Sequence, residues 1–200
     1  MSKSANTEHP IMDAQSQRFS PYAFSDAGVP QEDLQSLFEA ARWAPSSYNE
    51  QPWVYIVARK EDGDLFDQVL SCLVDGNQVW AKFAPVLALG CYCKHFKRND
   101  NPNKCAQHDL GLASMALTVE AMSRDLYVHQ MAGILPDKAR EVFTIPSDYE
   151  VLTGLAIGKV GDGAKLPDDI RARDQGERAR KAQTEFVYGG QWGQPATWTQ

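Results

Sequence analysis

Helix-period and strand-period segments alternate along the chain, so the sequence predicts one domain in which a sheet is flanked by helices. Two further observations hold it to a single domain. Two hundred residues with 43% apolar content suffice for one buried core and need no second. No internal repeat, low-complexity tract or linker divides them.

The elements follow in order. Residues 1–17 are polar and poor in apolar side chains, and are expected to form a flexible arm ahead of a domain over 18–200. Gln31 to Ala44 reads as an amphipathic helix. Pro30 suits its first turn, Glu32 and Asp33 suit the positive end of its dipole, and Leu34, Leu37, Phe38 and Ala41 share one face. Pro45 stops it. Trp53 to Ala58 is a short β-rich run, Leu65 to Leu73 a second helix, and Pro85 to Cys93 a second strand. His108 to Leu126 is a long helix with apolar residues nearly all round, which predicts burial. Tyr127 to Met131 reads as strand, Pro136 to Phe143 as helix and Val151 to Val160 as strand. From Gly161 to Gln200 the pattern dissolves into charges, glycines and aromatics. A segment so weakly patterned does not fold alone, and a partner subunit is a surface it can lie across.

By itself, the alternation suggests a doubly wound parallel sheet. That fold would carry a glycine-rich phosphate loop after its first strand. Ala58-Arg59-Lys60-Glu61-Asp62-Gly63 is no such loop, and no G-x-G-x-x-G occurs anywhere. A nucleotide bound here would need another device for its phosphate.

Bulk properties exclude several classes. A net charge of −6 without a concentrated basic run argues against nucleic acid. No apolar run reaches membrane-spanning length, and Met1 to Gln17 lacks a signal-peptide core. Four cysteines make no disulfide framework, and a reduced cytoplasmic setting is expected.

The most specific stretch is Ala44-Pro45-Ser46-Ser47-Tyr48-Asn49-Glu50-Gln51-Pro52-Trp53. It places hydroxyls, two amides and an indole in the turn between a helix and a strand. Amides donate and accept at once, which suits the edge of a heterocycle; a capped helix end followed by a rigid turn is the plainer reading. The string closely resembles the A-P-S-S-x-N-x-Q-P-W segment of the nitroreductase family. Upstream, Arg18-Phe19-Ser20-Pro21-Tyr22-Ala23-Phe24 resembles the family's R-x-S-x-R-x-F, which grips the phosphate, ribityl chain and pyrimidine of FMN. A guanidinium offers a phosphate two parallel donors, and Arg18 supplies one such group. Tyr22 departs from the pattern: the family places arginine or lysine there, near flavin N1, and tyrosine brings a hydrogen-bond donor without the charge.

Three further segments extend the resemblance. Asn77, in Gly76-Asn77-Gln78-Val79-Trp80, matches an asparagine at the flavin edge, with a polar surface turn as the alternative. His129-Gln130-Met131-Ala132-Gly133-Ile134 resembles H-x-M-x-G-F, which implies that the backbone of Met131, Ala132 and Gly133 lies by flavin N5; glycine there would let backbone approach the ring closely. Arg178-Ala179-Arg180-Lys181 resembles the family's C-terminal R-x-R, which returns to the phosphate, so Arg178 and Arg180 join the candidate site; a solvated charge run is the alternative.

The resemblance implies an α+β fold: a central mixed or antiparallel sheet flanked by helices and extended by a C-terminal strand from the other subunit of a homodimer. The Pro45 to Gln51 segment would reach a flavin bound mainly by the partner, and 161–200 would wrap that partner. It implies an FMN oxidoreductase that passes hydride from NADH or NADPH through flavin N5 to a small electron-poor acceptor, a nitroaromatic or quinone, by ping-pong kinetics. No catalytic triad or carboxylate pair is evident, and no protein acid or base is assigned.

Competing readings remain open here. Cys91, Cys93 and His95 alternate at period two, with Cys105 and His108 following at C-x-x-H spacing, which would suit zinc; equally, Cys91 and Cys93 sit in an apolar run where cysteine acts as a small hydrophobe. Related reactions on the same scaffold, such as flavin fragmentation, dehalogenation and dehydrogenation, or non-catalytic flavin binding, are further alternatives.

Overall fold

The computed structural model describes residues 3–199. Its centre is a four-stranded sheet of β1 (Trp53–Arg59), β2 (Val86–Cys93), β3 (Tyr127–Met131) and β4 (Tyr149–Gly158), in the order β1-β2-β4-β3. All three pairings are antiparallel. The fold is therefore α+β, and the parallel sheet suggested by alternation does not form. Alternation fixes which elements follow one another and leaves strand direction open. Here the chain leaves β1 through α3 (Asp64–Ser71) and α4 (Asp75–Ala81) and returns beside it in the opposite sense. β3 then enters at the far edge, against β4.

Helices cover both faces. On one, α2 (Gln31–Arg42) and α5 (Ala106–Met122) bury Leu34, Leu37, Ala41, Ala113, Leu117 and Ala121 against Val86, Ala88, Val128, Leu155 and Ile157. On the other, α3, α4 and α6 (Pro136–Phe143) bring Phe66, Val69, Trp80 and Ala139 onto Leu87, Leu89 and Met131. β2 is buried on both faces along nearly its whole length, as its unbroken apolar run predicts for a central strand. Leu37 and Leu117 are fully buried, so truncating either to alanine would cost about 2–5 kcal/mol.

The long helix departs from expectation. The α5 face toward the sheet and α2 is buried, but Leu112, Val119 and Met122 are only half-buried and Met115 is exposed. One sheet and one helix cover only one side of it. Three helices lie outside the elements read from sequence: α1 (Asp13–Gln17) in the arm, α4, and α7 (Asp168–Gln175) in the tail. α4 is short and carries Asp75, Gly76 and Asn77, whereas α7 buries only Ile170; neither shows a strong apolar period. Among the described residues no strand follows β4: Gln183–Glu185 and Thr197–Thr199 form single 3-10 turns, and Tyr188 and Pro195 meet in an isolated bridge. The expected C-terminal strand has no ladder partner within one chain. Among the described residues no helix is long and apolar enough to cross a membrane.

Candidate functional site

The segment after α1 runs along the outer edge of β3. Phe19 is buried, its ring 5.0 Å from that of Tyr127. His129 Nδ1 donates to the Pro21 carbonyl at 2.9 Å. The Tyr22 ring stands edge-on to Trp80 and to His129, at 5.0 and 4.7 Å. Asp174, from α7, accepts the backbone N–H groups of Tyr22 and Ala23 at 2.9 and 2.8 Å, clamping the segment in place. Ser20 is exposed.

Arg18 is half-buried, and its side chain makes neither hydrogen bond nor ion pair among the described residues. Burial, and then the charges of Arg178 and Arg180, push its guanidinium below the ordinary value. Burial and Arg180 do the same to Arg178. The three cations thus converge, and their mutual repulsion is what an anion would relieve. Arg178 also has a structural role: it donates to the carbonyls of Lys3 and Ser16 and so ties the tail to the arm. Arg180 is held only locally, donating to the Ala179 carbonyl.

At the other end of β3, Asn77 lies on α4 and not in a surface turn. Its Nδ2 donates to the Gly133 carbonyl at 2.9 Å, and Val74 N donates to the same oxygen. That bond engages Nδ2, and Oδ1 has no hydrogen-bond partner among the described residues. A Cβ added at Gly133 would lie 2.5 Å from Asn77 Nδ2 and 2.8 Å from Val74 Cγ2. Within the chain, a side chain at 133 would therefore have to displace the Asn77 amide and the Val74 side chain at the start of α4. Met131 is buried and its carbonyl accepts Thr153 Oγ1, while Ala132 is exposed.

The Pro45 to Gln51 loop is built differently. Tyr48, Asn49 and Gln51 have φ of 54°, 56° and 52°, a left-handed conformation that costs side-chain-bearing residues about 1–3 kcal/mol each. Among the hydrogen bonds that hold it are Ser47 N to Asp109 Oδ2 at 3.0 Å, Gln51 N to Ser46 Oγ at 3.0 Å, and Gln51 Nε2 to the Asn49 carbonyl at 3.0 Å. Pro45, Asn49 and Gln51 are exposed, and Ser46 and Ser47 half-buried.

These groups do not meet within one chain. Met131, Gly154, Leu89 and Ile56 form a single row across the sheet. Trp53, where the loop enters β1, lies three strand spacings from β3, about 14 Å, and about 10 Å further along the strand direction. Arg18, Phe19, Tyr22, Asn77, Met131, Gly133 and Arg178 gather along β3, whereas Pro45 to Gln51 stand at the opposite edge. A cleft of about 310 Å³ borders Phe19 and is lined by Arg171 and Asp174, but not by Arg18, Tyr22 or Asn77.

Two residues at the site escaped the sequence reading. Asp109, 2% exposed, had a signal: it is the one carboxylate in the first three turns of a helix that, after Gln107 and His108, is otherwise apolar or small there. Asp174 had none, lying among the tail's many charges. Among the described residues no three His, Cys, Asp or Glu side chains group closely enough to hold a metal ion.

A sequence profile of the nitroreductase family matches residues 16–159. A solved oxidoreductase containing FMN superposes with a TM-score of 0.87 and 32% identity, over 96% of this chain and 98% of that one. An FMN- and NADPH-dependent nitroreductase from Sphigopyxis sp. strain HMH shares the fold at TM-score 0.68 and 18% identity, over 90% of this chain and 98% of its own. A protein of Mycolicibacterium smegmatis, described only as an uncharacterized 15.4 kDa protein, is 31% identical over 66% of this chain and 87% of its own length. The matched segment runs from just before Arg18 to the end of β4, and the chain belongs to the nitroreductase family.

Proposed function

We propose that the protein is a homodimeric FMN-dependent oxidoreductase that takes hydride from NADH or NADPH and delivers it to a small electron-poor acceptor. The bond from Arg178 to the Ser16 carbonyl, which brings the tail to the segment bearing the unpaired Arg18, carries this reading, with Arg180 near enough to lower the pKa of both. Cations at one end of the β3 edge and the Asn77 amide at the other form a line, with the Tyr127–Met131 strand itself about 13 Å long. That polarity suits a molecule with a phosphate at one end and a polar heteroaromatic ring at the other.

FMN so held supplies the hydride chemistry, accepting at N5 from the nicotinamide and donating to the acceptor. The chain's part is to bind and orient. Arg18, with Arg178 and Arg180, anchors the phosphate. Ser20 would contact the ribityl chain, Tyr22 and Asn77 would bind the pyrimidine side, and the backbone of Met131, Ala132 and Gly133 would approach N5. No protein acid or base is assigned, and one shared face gives ping-pong kinetics.

A second subunit completes the site. The Pro45 to Gln51 loop, too far from β3 in its own chain, meets a flavin held by the partner. The exposed Met115 of α5, beside half-buried Leu112, Val119 and Met122, and a tail that leaves Phe186, Trp192 and Trp198 in solvent support such an interface, with 161–200 wrapping the partner. Purified protein is expected to be yellow and dimeric, with about one FMN per chain, and to give parallel double-reciprocal lines for donor and acceptor. Colourless monomer that refuses added FMN would overturn the reading.

A further inference from the structure

The strained Pro45 to Gln51 loop has a neighbour that the flavin reading does not use. Residues 94–104 carry Lys94, Lys97, Arg98 and Lys104 against one acid, Asp100, on a protein of net charge −6. Lys94 is paired with Glu150 at 3.3 Å. Lys97, Arg98 and Lys104 are exposed and make no ion pair among the described residues. The segment is a fixed turn: Phe96 N donates to the Asn101 carbonyl, Asp100 N to the Phe96 carbonyl, and His95 and Pro102 form a bridge. Glu50 Oε1 accepts Lys97 N at 2.8 Å, which ties this turn to the Pro45 to Gln51 loop.

Arg98 lies over the Tyr48 ring at 3.9 Å and 5.2 Å from that of Phe96, and the two rings meet edge-on at 5.8 Å. Tyr48 remains 74% exposed. An unpaired guanidinium pre-oriented on an aromatic face, with two free ammonium groups in the same turn, is suited to a phosphomonoester attached to an aromatic base. The guanidinium takes the phosphate, and an exposed ring takes the base.

We propose that Tyr48, Lys97, Arg98 and Lys104 form the docking site for the adenosine 2′-phosphate end of NADPH, making this chain NADPH-preferring. The inference rests on the reading that a reduced nicotinamide is the donor, and it deepens that reading by choosing between the two nicotinamides. Because this turn is bonded to the loop assigned to the partner's flavin, one subunit would hold the flavin while the other recognises the donor's far end.

The test uses flavin-loaded wild type and the Arg98→Ala and Arg98→Lys variants, whose exposed position leaves folding undisturbed. Equilibrium binding of NADP+ and NAD+ is measured at several salt concentrations, alongside KM for NADPH and NADH. Wild type is expected to bind NADP+ more tightly than NAD+, with the steeper salt dependence. In Arg98→Ala the ratio of KM for NADPH to KM for NADH should rise about ten- to a hundredfold, and Arg98→Lys should recover part of it. Equal losses for both nucleotides would place the contact at the pyrophosphate and overturn the assignment, as would no change in either. A protein that keeps its flavin yet binds neither nucleotide would overturn the donor reading as well. Loss of flavin from wild type would instead strike at the proposed function itself.

Discussion

The buried carboxylate of Asp109 accepts the backbone N–H of Ser47 at 3.0 Å, joining the first turn of α5 to a loop with three left-handed, side-chain-bearing residues. The bond matters because the loop's own dihedrals work against it. Asp109→Ala would leave the Ser47 N–H without its acceptor and cost about 1.5–3 kcal/mol. Asp109→Asn keeps an acceptor and should cost less. Thermal denaturation ranks the three proteins, and hydrogen exchange at Ser47 reports the loop directly. An Asp109→Ala protein with wild-type stability and protection would show that the loop holds itself.

The arginines should separate by role. With FMN bound as proposed, Arg18→Ala removes a charge-assisted contact and should weaken flavin binding about ten- to a hundredfold. Arg180→Ala should do so to a lesser degree. Arg178→Ala carries an extra penalty, because Arg178 also holds the carbonyls of Lys3 and Ser16. That variant alone should show faster proteolysis of the arm. Fluorescence titration of apoprotein with FMN measures the first effect, and unchanged affinity in all three variants would mean the anchor is elsewhere.

The sheet strands were legible because β2 and β4 are apolar runs and the short β1 is rich in β-branched and aromatic residues. Their direction was not legible from periodicity and came only from the family resemblance, since it depends on how the connections between strands cross the sheet, a relation between residues far apart in the chain. The motifs singled out Arg18, Asn77 and Gly133, which fall along one strand edge; the packing role of Gly133, whose missing side chain makes room for Asn77 and Val74, was not legible in them. Asp174 was invisible because a carboxylate that clamps two backbone N–H groups looks, in sequence, like any other acid in a charged tail.

The cysteines should sort by burial. Burial pushes the Cys91 thiol up to about 11, and Cys72 is also buried and raised, whereas Cys105 is exposed. Only the thiolate reacts. Titration with a disulfide reagent near pH 8 should give one fast thiol, absent in Cys105→Ser, with Cys72 and Cys91 appearing only on unfolding. Fast reaction at Cys91 would contradict its place in the core.

His129 should make stability fall in mild acid. Burial lowers its pKa from the ordinary 6.5, against the raising effects of the Pro21 carbonyl and Asp174. The unfolded chain therefore binds the proton more readily than the folded one below about pH 6.5, and stability drops as pH falls through that value toward the folded pKa. Above it the histidine is neutral in both states and contributes no slope. His129→Asn, which keeps a donor for Pro21, should flatten the decline in melting temperature between pH 7 and 5. An unchanged slope would assign the acid sensitivity to other groups.

Tyr22 bears on the redox potential, because negative charge collects on the pyrimidine side of a reduced flavin and a nearby cation favours that state. Among the described residues, Arg42 is engaged with Glu39 through Nε and Nη2, Arg178 is bonded to backbone carbonyls, and burial lowers the pKa of the adjacent His129, which disfavours its cation. Two unit charges about 4 Å apart interact by roughly 4 kcal/mol at an effective dielectric near 20, before desolvation is subtracted. A third of that is still worth about 30 mV in a two-electron couple. The bound flavin should accordingly be hard to reduce, and its reduced form a strong reductant. Tyr22→Arg should raise the midpoint by tens of millivolts, at some cost in stability, since the tyrosine ring packs on Trp80 and His129. Tyr22→Phe should keep that packing and lower the midpoint slightly. Spectroelectrochemical titration of the three holoproteins decides the matter: a midpoint that stays put in a folded, flavin-loaded Tyr22→Arg protein would remove residue 22 from the flavin's pyrimidine side.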